Sequence, residues 1–136
     1  MAALRIALRS FLRRTEEVAR RCGLTPQRYL LLLMIKGSAD GSEQATVSEL
    51  SKSLQLAQST VTELVDRAVR AGLVTRTAST ADGRVAHVRL TEEGENRFAE
   101  AFRGLAHERE TLLEAVEGLQ NGGGRGGVAG DRPAVD

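Results

Sequence analysis

Residues 46–91 read TVSELSKSLQLAQSTVTELVDRAVRAGLVTRTASTADGRVAHVRLT. The stretch opens on Thr46-Val47-Ser48-Glu49, a capping-box pattern. In it a Thr hydroxyl and a Glu carboxylate three residues on satisfy N–H groups left open at a helix start. A short helix is predicted from there to about Leu54. After a break around Gln55 a second helical period follows, with Val61, Leu64, Val65 and Ala68 on one face, until Gly72 stops it. Leu73–Thr77 is β-branched, and Val85–Leu90 alternates, so two short strands follow. Between them, Ser79-Thr80-Ala81-Asp82-Gly83-Arg84 is a polar hairpin tip built on Asp-Gly. Two helices followed at once by such a hairpin have the layout of a winged helix-turn-helix.

The second helix turns Gln58, Ser59, Thr60, Thr62, Glu63, Arg67 and Arg70 away from its apolar side. An ordinary surface helix needs only charge on its solvated face. Short hydroxyls, amides and guanidinium groups are instead what a helix needs to meet phosphates and base edges in a DNA major groove.

Several motifs fall in order along this region: LSKSLQL at 50–56, STVTELVDR at 59–67, AGLVTR at 71–76, DGR at 82–84 and VRLTEEG at 88–94. Together they resemble the MarR family of transcriptional regulators, and the likeness covers residues 24–94. The resemblance implies that the second helix reads the major groove and that an Arg at the wing tip enters the minor groove. Those roles fall to residues 58–67 and to Arg84. The candidate DNA-contacting set is therefore Gln58, Ser59, Thr60, Thr62, Arg67, Arg76, Asp82 and Arg84, with double-stranded DNA as partner. Two positions depart from the family pattern. Ala57 stands where a capping Ser or Asp is common, and Glu63 where Arg is frequent. Glu63 either accepts from a cytosine edge or stays off the duplex.

A length of 136 residues suits one domain. Three Phe, one Tyr and no Trp leave a core of Leu, Val and Ala, and the fold class expected is mainly α with a small β wing. No run of eighteen apolar residues and no signal-peptide pattern is visible, so the expected setting is cytoplasmic, with no membrane partner. Net charge is only +1, but its distribution is uneven. Residues 1–36 carry seven Arg and one Lys against two Glu, whereas residues 92–120 carry eight Glu against three Arg. Residues 46–91 hold six basic and four acidic groups. His87 and His107 lack partner spacing, and one Cys cannot build a zinc site. No catalytic residue, metal or cofactor is expected, and the chain does not read as an enzyme.

The oppositely charged ends share an apolar rhythm. Leu4, Leu8, Phe11, Thr15, Val18 and Cys22 step by four and three, as do Phe98, Phe102, Leu105, Arg109, Leu112, Val116 and Leu119. Both are heptad-like seams with one polar interruption each, Thr15 and Arg109, and they should pack on each other. Thr91 caps a C-terminal helix over 92–120, which would span on the order of 43 Å. That is longer than a small domain needs to cover its own core, so a homodimer is expected. Thr25-Pro26 starts a further helix whose Leu30–Ile35 run makes it a buried hub within 1–36. Residues 37–45 are expected to form a flexible connection, and the glycine-rich residues 121–136 a disordered tail.

The resemblance also implies a small effector, often aromatic or phenolic, lodged between the dimer helices and the winged module. By position Arg13, Tyr29 and Met34 are candidates to line that cleft. It further raises a thiol-based sensing role for Cys22, against which stands its seam position, where a small apolar residue packs. The reading reached is a homodimeric regulator, a repressor by analogy with most of the family, that binds a pseudo-palindromic operator and is released by an effector. The alternatives are a winged-helix module for protein contact and a redox sensor using Cys22.

Overall fold

The computed structural model describes residues 1–78 and 85–131. Helices α1 (Ala2–Arg21) and α2 (Pro26–Lys36) are followed by β1 (Gln44–Ala45) and by the helix pair α3 (Val47–Leu54) and α4 (Gln58–Arg70). Strands β2 (Val74–Ala78) and β3 (Ala86–Leu90) come next, then α5 (Glu92–Gly104) and α6 (Ala106–Asp131). The sheet is antiparallel in the order β1-β3-β2, with Ala45 opposite Val88 and Arg76 opposite the same residue on the other side.

Local chemistry sets most boundaries. Thr25 accepts from the Arg28 N–H at 3.1 Å with Pro26 in the first turn. The capping box of α3 is complete, Glu49 N–H donating to Thr46 Oγ1 at 3.1 Å and Thr46 N–H to Glu49 Oε1 at 2.9 Å. No glycine ends α3. Gln55 takes the left-handed conformation there, at φ 56°, while Leu56 N–H returns to the Ser51 carbonyl at 3.1 Å. Helix α4 starts at Ala57 without a side-chain cap, and it ends where Gly72, at φ 77°, lets Leu73 N–H reach the Ala68 carbonyl at 2.9 Å.

Helix α2 is the centre of the core. It touches α1, α3, α4, α5, β1 and β3, and its Leu31, Leu32 and Ile35 are fully buried. Leu50 comes in from α3, Val61, Val65 and Ala68 from α4, and Val74 and Val88 from the hairpin. The Leu30–Ile35 run is not buried throughout: Leu33 and Met34 are half-buried and Leu30 remains 42% exposed.

The region after the hairpin is fastened by Thr91. Its hydroxyl donates to the Gly72 carbonyl at 2.6 Å and accepts from Gly94 N–H at 3.0 Å, while its own N–H binds the Leu73 carbonyl at 2.9 Å. Backbone is packed on backbone here, because a Cβ on Gly94 would sit 2.1 Å from the Leu73 carbonyl oxygen. The TEEG motif therefore ends in glycine for want of space.

Three expectations are corrected. The single helix over 92–120 is two helices meeting at Leu105, whose φ of −107° and ψ of 9° leave the helical region. Leu105 is fully buried, and the bend lets α6 run along α1. Arg14 reaches Glu108 across that contact at 3.5 Å. The connection 37–45 contains a strand, because pairing with β3 buries Ala45. It is also tied down by Lys36, which bridges Glu43 at 3.0 Å and Glu95 at 2.9 Å; these two carboxylates raise the lysine's pKa. Finally, α6 continues past Gln120 to Asp131, into residues read as tail. Glycine disfavours a helix by about 1 kcal/mol per residue but does not forbid its backbone hydrogen bonds. Residues 132–136 lie outside the described residues.

Two stability outcomes follow. Leu32→Ala should lower the unfolding free energy by about 2–5 kcal/mol, read as a fall in the urea midpoint, since the Leu32 side chain is fully buried. Ala57→Ser should raise it by about 0.5–2 kcal/mol by capping α4.

Candidate nucleic-acid interface

Helix α4 divides as its sequence implies. Val61, Val65 and Ala68 are buried and Leu64 is half-buried, whereas Gln58, Ser59, Thr60, Thr62, Glu63, Arg67 and Arg70 are exposed. The first turn of α4 faces the hairpin across an open cleft of about 540 Å³. Gln58 and Thr62 line one side, Arg76 and Ala86 another, and Thr46 and Ser48 a third. The sequence reading missed Thr46 and Ser48 as lining residues. The capping box explained Thr46 fully by itself, and the docking of the α3 start beside α4 leaves no local trace.

Ser59 and Thr60 occupy the neighbouring exposed positions of the same turn, outside the cleft. Arg67 lies further along and forms an ion pair with Glu63, one helical turn back. Glu63 is thereby accounted for in the free protein. Arg76 on β2 pairs with Asp66 on α4, so the hairpin is linked to the helix through a charged contact. Asp82 and Arg84 lie outside the described residues.

The three residues expected to line an effector cleft do not share a cavity within the protomer. Arg13 is exposed on α1 and borders a groove of about 400 Å³ with Arg5, Ile6 and Arg9. Met34 borders a separate cleft of about 360 Å³ with Asp40, Gln44 and Lys52. Tyr29 is buried, stacked on Phe98 with ring centroids 5.7 Å apart. Phe98 stacks in turn on Phe102 at 5.5 Å, and the Arg109 guanidinium lies 3.5 Å over the Phe102 ring. The polar interruption of the second seam thus caps an aromatic column. Burial raises the Tyr29 pKa, with Arg109 acting against it.

Cys22 is half-buried between α1 and α5, beside Arg21, Gly23, Arg97, Glu100 and Arg103. Its thiol pKa is raised, first by burial and then by the hydrogen bond and charge of Glu100. Arg21 and Arg103 oppose this without reversing it. Burial and a glutamate seventy-eight positions away thus outweigh two arginines, of which only Arg21 is adjacent in sequence.

Among the described residues no group of three or more His, Cys, Asp or Glu side chains is placed to hold a metal ion, and no helix is long and apolar enough to cross a membrane.

Known proteins share both the motifs and the fold. The model of the MarR family matches residues 23–85. The transcriptional repressor MdtR of Bacillus subtilis is 35% identical over 82 residues, which is 60% of this chain and 50% of that protein. The chain thus spans about half the length of that curated relative. A MarR family protein from Bacillus stearothermophilus is 27% identical, with 96% of this chain and 84% of that one superposed at a TM-score of 0.64. A mutant MarR from E. coli, solved in complex with operator DNA, shares the fold at a TM-score of 0.68 and 21% identity, over 86% and 87% of the two chains. With its motifs in the same order and its helix pair, strands and flanking helices superposed on those of solved MarR proteins, the chain is similar to the MarR family of winged helix-turn-helix transcriptional regulators, most specifically over residues 23–85.

Proposed function

We propose that this protein is a sequence-specific DNA-binding regulator that acts as a homodimer on a pseudo-palindromic operator. The observation that carries the reading is the exposed first turn of α4. Gln58, Ser59, Thr60 and Thr62 contribute nothing to the core, yet supply amides and hydroxyls beside a cleft shared with the hairpin. Such groups discriminate base edges, while Arg67 and Arg76 supply phosphate contacts. Arg84, by the family resemblance, is assigned to the minor groove, where arginine reports groove width and A·T content. The uncapped start of α4 leaves N–H groups without a side-chain partner on the same face, and these favour a phosphate.

The homodimer is supported by what α1 and α6 leave uncovered. Ile6 is 68% exposed, Leu12 60% and Leu113 60%, an apolar set that a second copy of the same helices would cover. A modest local charge gives the same direction, because six basic groups against four acidic ones in residues 46–91 bind a duplex weakly as one copy. The relative MdtR is named a repressor, and we extend that sign of regulation to this chain. Release by a small aromatic or phenolic effector completes the proposal. Because Arg13, Tyr29 and Met34 are dispersed within one protomer, an effector cleft using them requires the dimer or a changed conformation. The effector chemistry is not placed on Cys22, whose environment favours the protonated thiol.

Selection of bound fragments from random duplex DNA by the purified protein tests the core of this reading. A two-fold symmetric site with half-sites about one helical turn apart is expected. Failure to enrich any sequence would sink the DNA-reading assignment, and a single half-site would sink the dimer. On the recovered site, Thr62→Ala should blur base preference, whereas Arg84→Ala should weaken binding most where the minor groove is A·T-rich. Separately, alkylation of Cys22 near neutral pH should be slower than that of a free cysteine, with the pH midpoint of the rate displaced upward. A rate above that of free cysteine would restore the thiol-sensing alternative.

A further inference from the structure

The exposed side of α4 carries two adjacent stripes at four-residue spacing, Gln58-Thr62-Asp66 and Ser59-Glu63-Arg67. Each begins with a group suited to a base edge and includes a carboxylate. Both carboxylates are occupied: Glu63 by Arg67 of its own stripe, and Asp66 by Arg76, which lines the cleft with Gln58 and Thr62. The pairs are open to solvent, with Glu63 and Arg67 at 62% and 54% exposure and both Asp66 and Arg76 at 39%. Exposed pairs of this kind are weak and readily exchanged. A phosphodiester presents a guanidinium with the same negative charge and the same oxygen acceptors as a carboxylate.

We propose that Glu63 and Asp66 are internal competitors for DNA phosphates: they hold Arg67 and Arg76 in the free protein, and each arginine engages a duplex backbone only after its carboxylate releases it. The inference rests on the DNA-reading role proposed above. It gives two of the four acidic groups of the module, Glu63 and Asp66, a function, since they keep one copy from adhering to arbitrary DNA. Two copies and favourable base contacts are then needed for a stable complex. No bond is made or broken beyond the exchange of one anionic partner for another.

The test measures affinity for a mixed-sequence duplex at one fixed salt concentration. Glu63→Gln and Asp66→Asn are each introduced into the parent and into chains already carrying Arg67→Gln or Arg76→Gln. Both carboxylate substitutions are near-isosteric. Each should tighten binding by about two- to fivefold in the parent. Each gain should vanish when the paired arginine is absent, because the carboxylate then has nothing to withhold. A gain that persists without the arginine would overturn the proposal in favour of simple repulsion between carboxylate and phosphate. Weaker binding by Asp66→Asn in the parent would overturn it in favour of a strut that holds the hairpin against α4. A parent that binds no duplex at all would instead sink the DNA-reading role, which separates the two failures.

Discussion

The structure depends on enclosing one short apolar helix. Leu31, Leu32 and Ile35 of α2 are inaccessible to water, and each transfers about 1.5–3 kcal/mol of hydrophobic free energy into the fold. An eleven-residue helix cannot bury that much side chain alone, so it must be surrounded. Helices α1 and α5 cover it from one side, and α3, α4 and β3 cover it from the side of the winged module. The same helix is therefore both core and connector. Any displacement of the outer helices is felt by the winged module through close packing, which resists gradual deformation.

Polar contacts then set angles that apolar packing leaves loose. Thr91 joins the turn after α4 to the start of α5 through three hydrogen bonds, and the absence of a side chain on Gly94 lets the two backbones meet. Lys36 links the end of α2 to α5 and to the approach to β1. The column of Tyr29, Phe98 and Phe102 runs from α2 into α5, and Arg109 closes it from α6. The last of these ties, Phe102 with Arg109, flanks the bend at Leu105, where the helix that guards the hub gives way to the helix that packs along α1. The exposed face of α4 is held differently, by solvent-open ion pairs that give up little stability when exchanged.

Much of the winged module was legible because its signals are local. A capping box, a glycine stop and alternating strands depend on residues within a few positions of one another, and all lie where the sequence places them, to within a residue or two. The apolar and polar faces of α4 were legible for the same reason. The bend at Leu105 was not, because heptad spacing continues smoothly through it from Phe98 to Leu119. Only the demand that α5 guard the hub while α6 follows α1 breaks the helix there. Strand β1 was likewise hidden. Two residues carry no period, and Ala45 is a strand residue only because Val88 lies beside it.

The division follows from how far each interaction reaches. By itself the sequence determined the starts of α2, α3, α4 and α5, the winged layout, the family likeness and which α4 residues face solvent, since these rest on patterns a few residues long. Tertiary structure alone decided that Arg76 is held by Asp66, that Cys22 is governed more by Glu100 than by its arginine neighbours, and that Arg13, Tyr29 and Met34 lie apart in the protomer. Charge pairing, desolvation and cavity shape act through space. They are set by which distant segments the burial of α2 brings together, and no spacing along the chain encodes them.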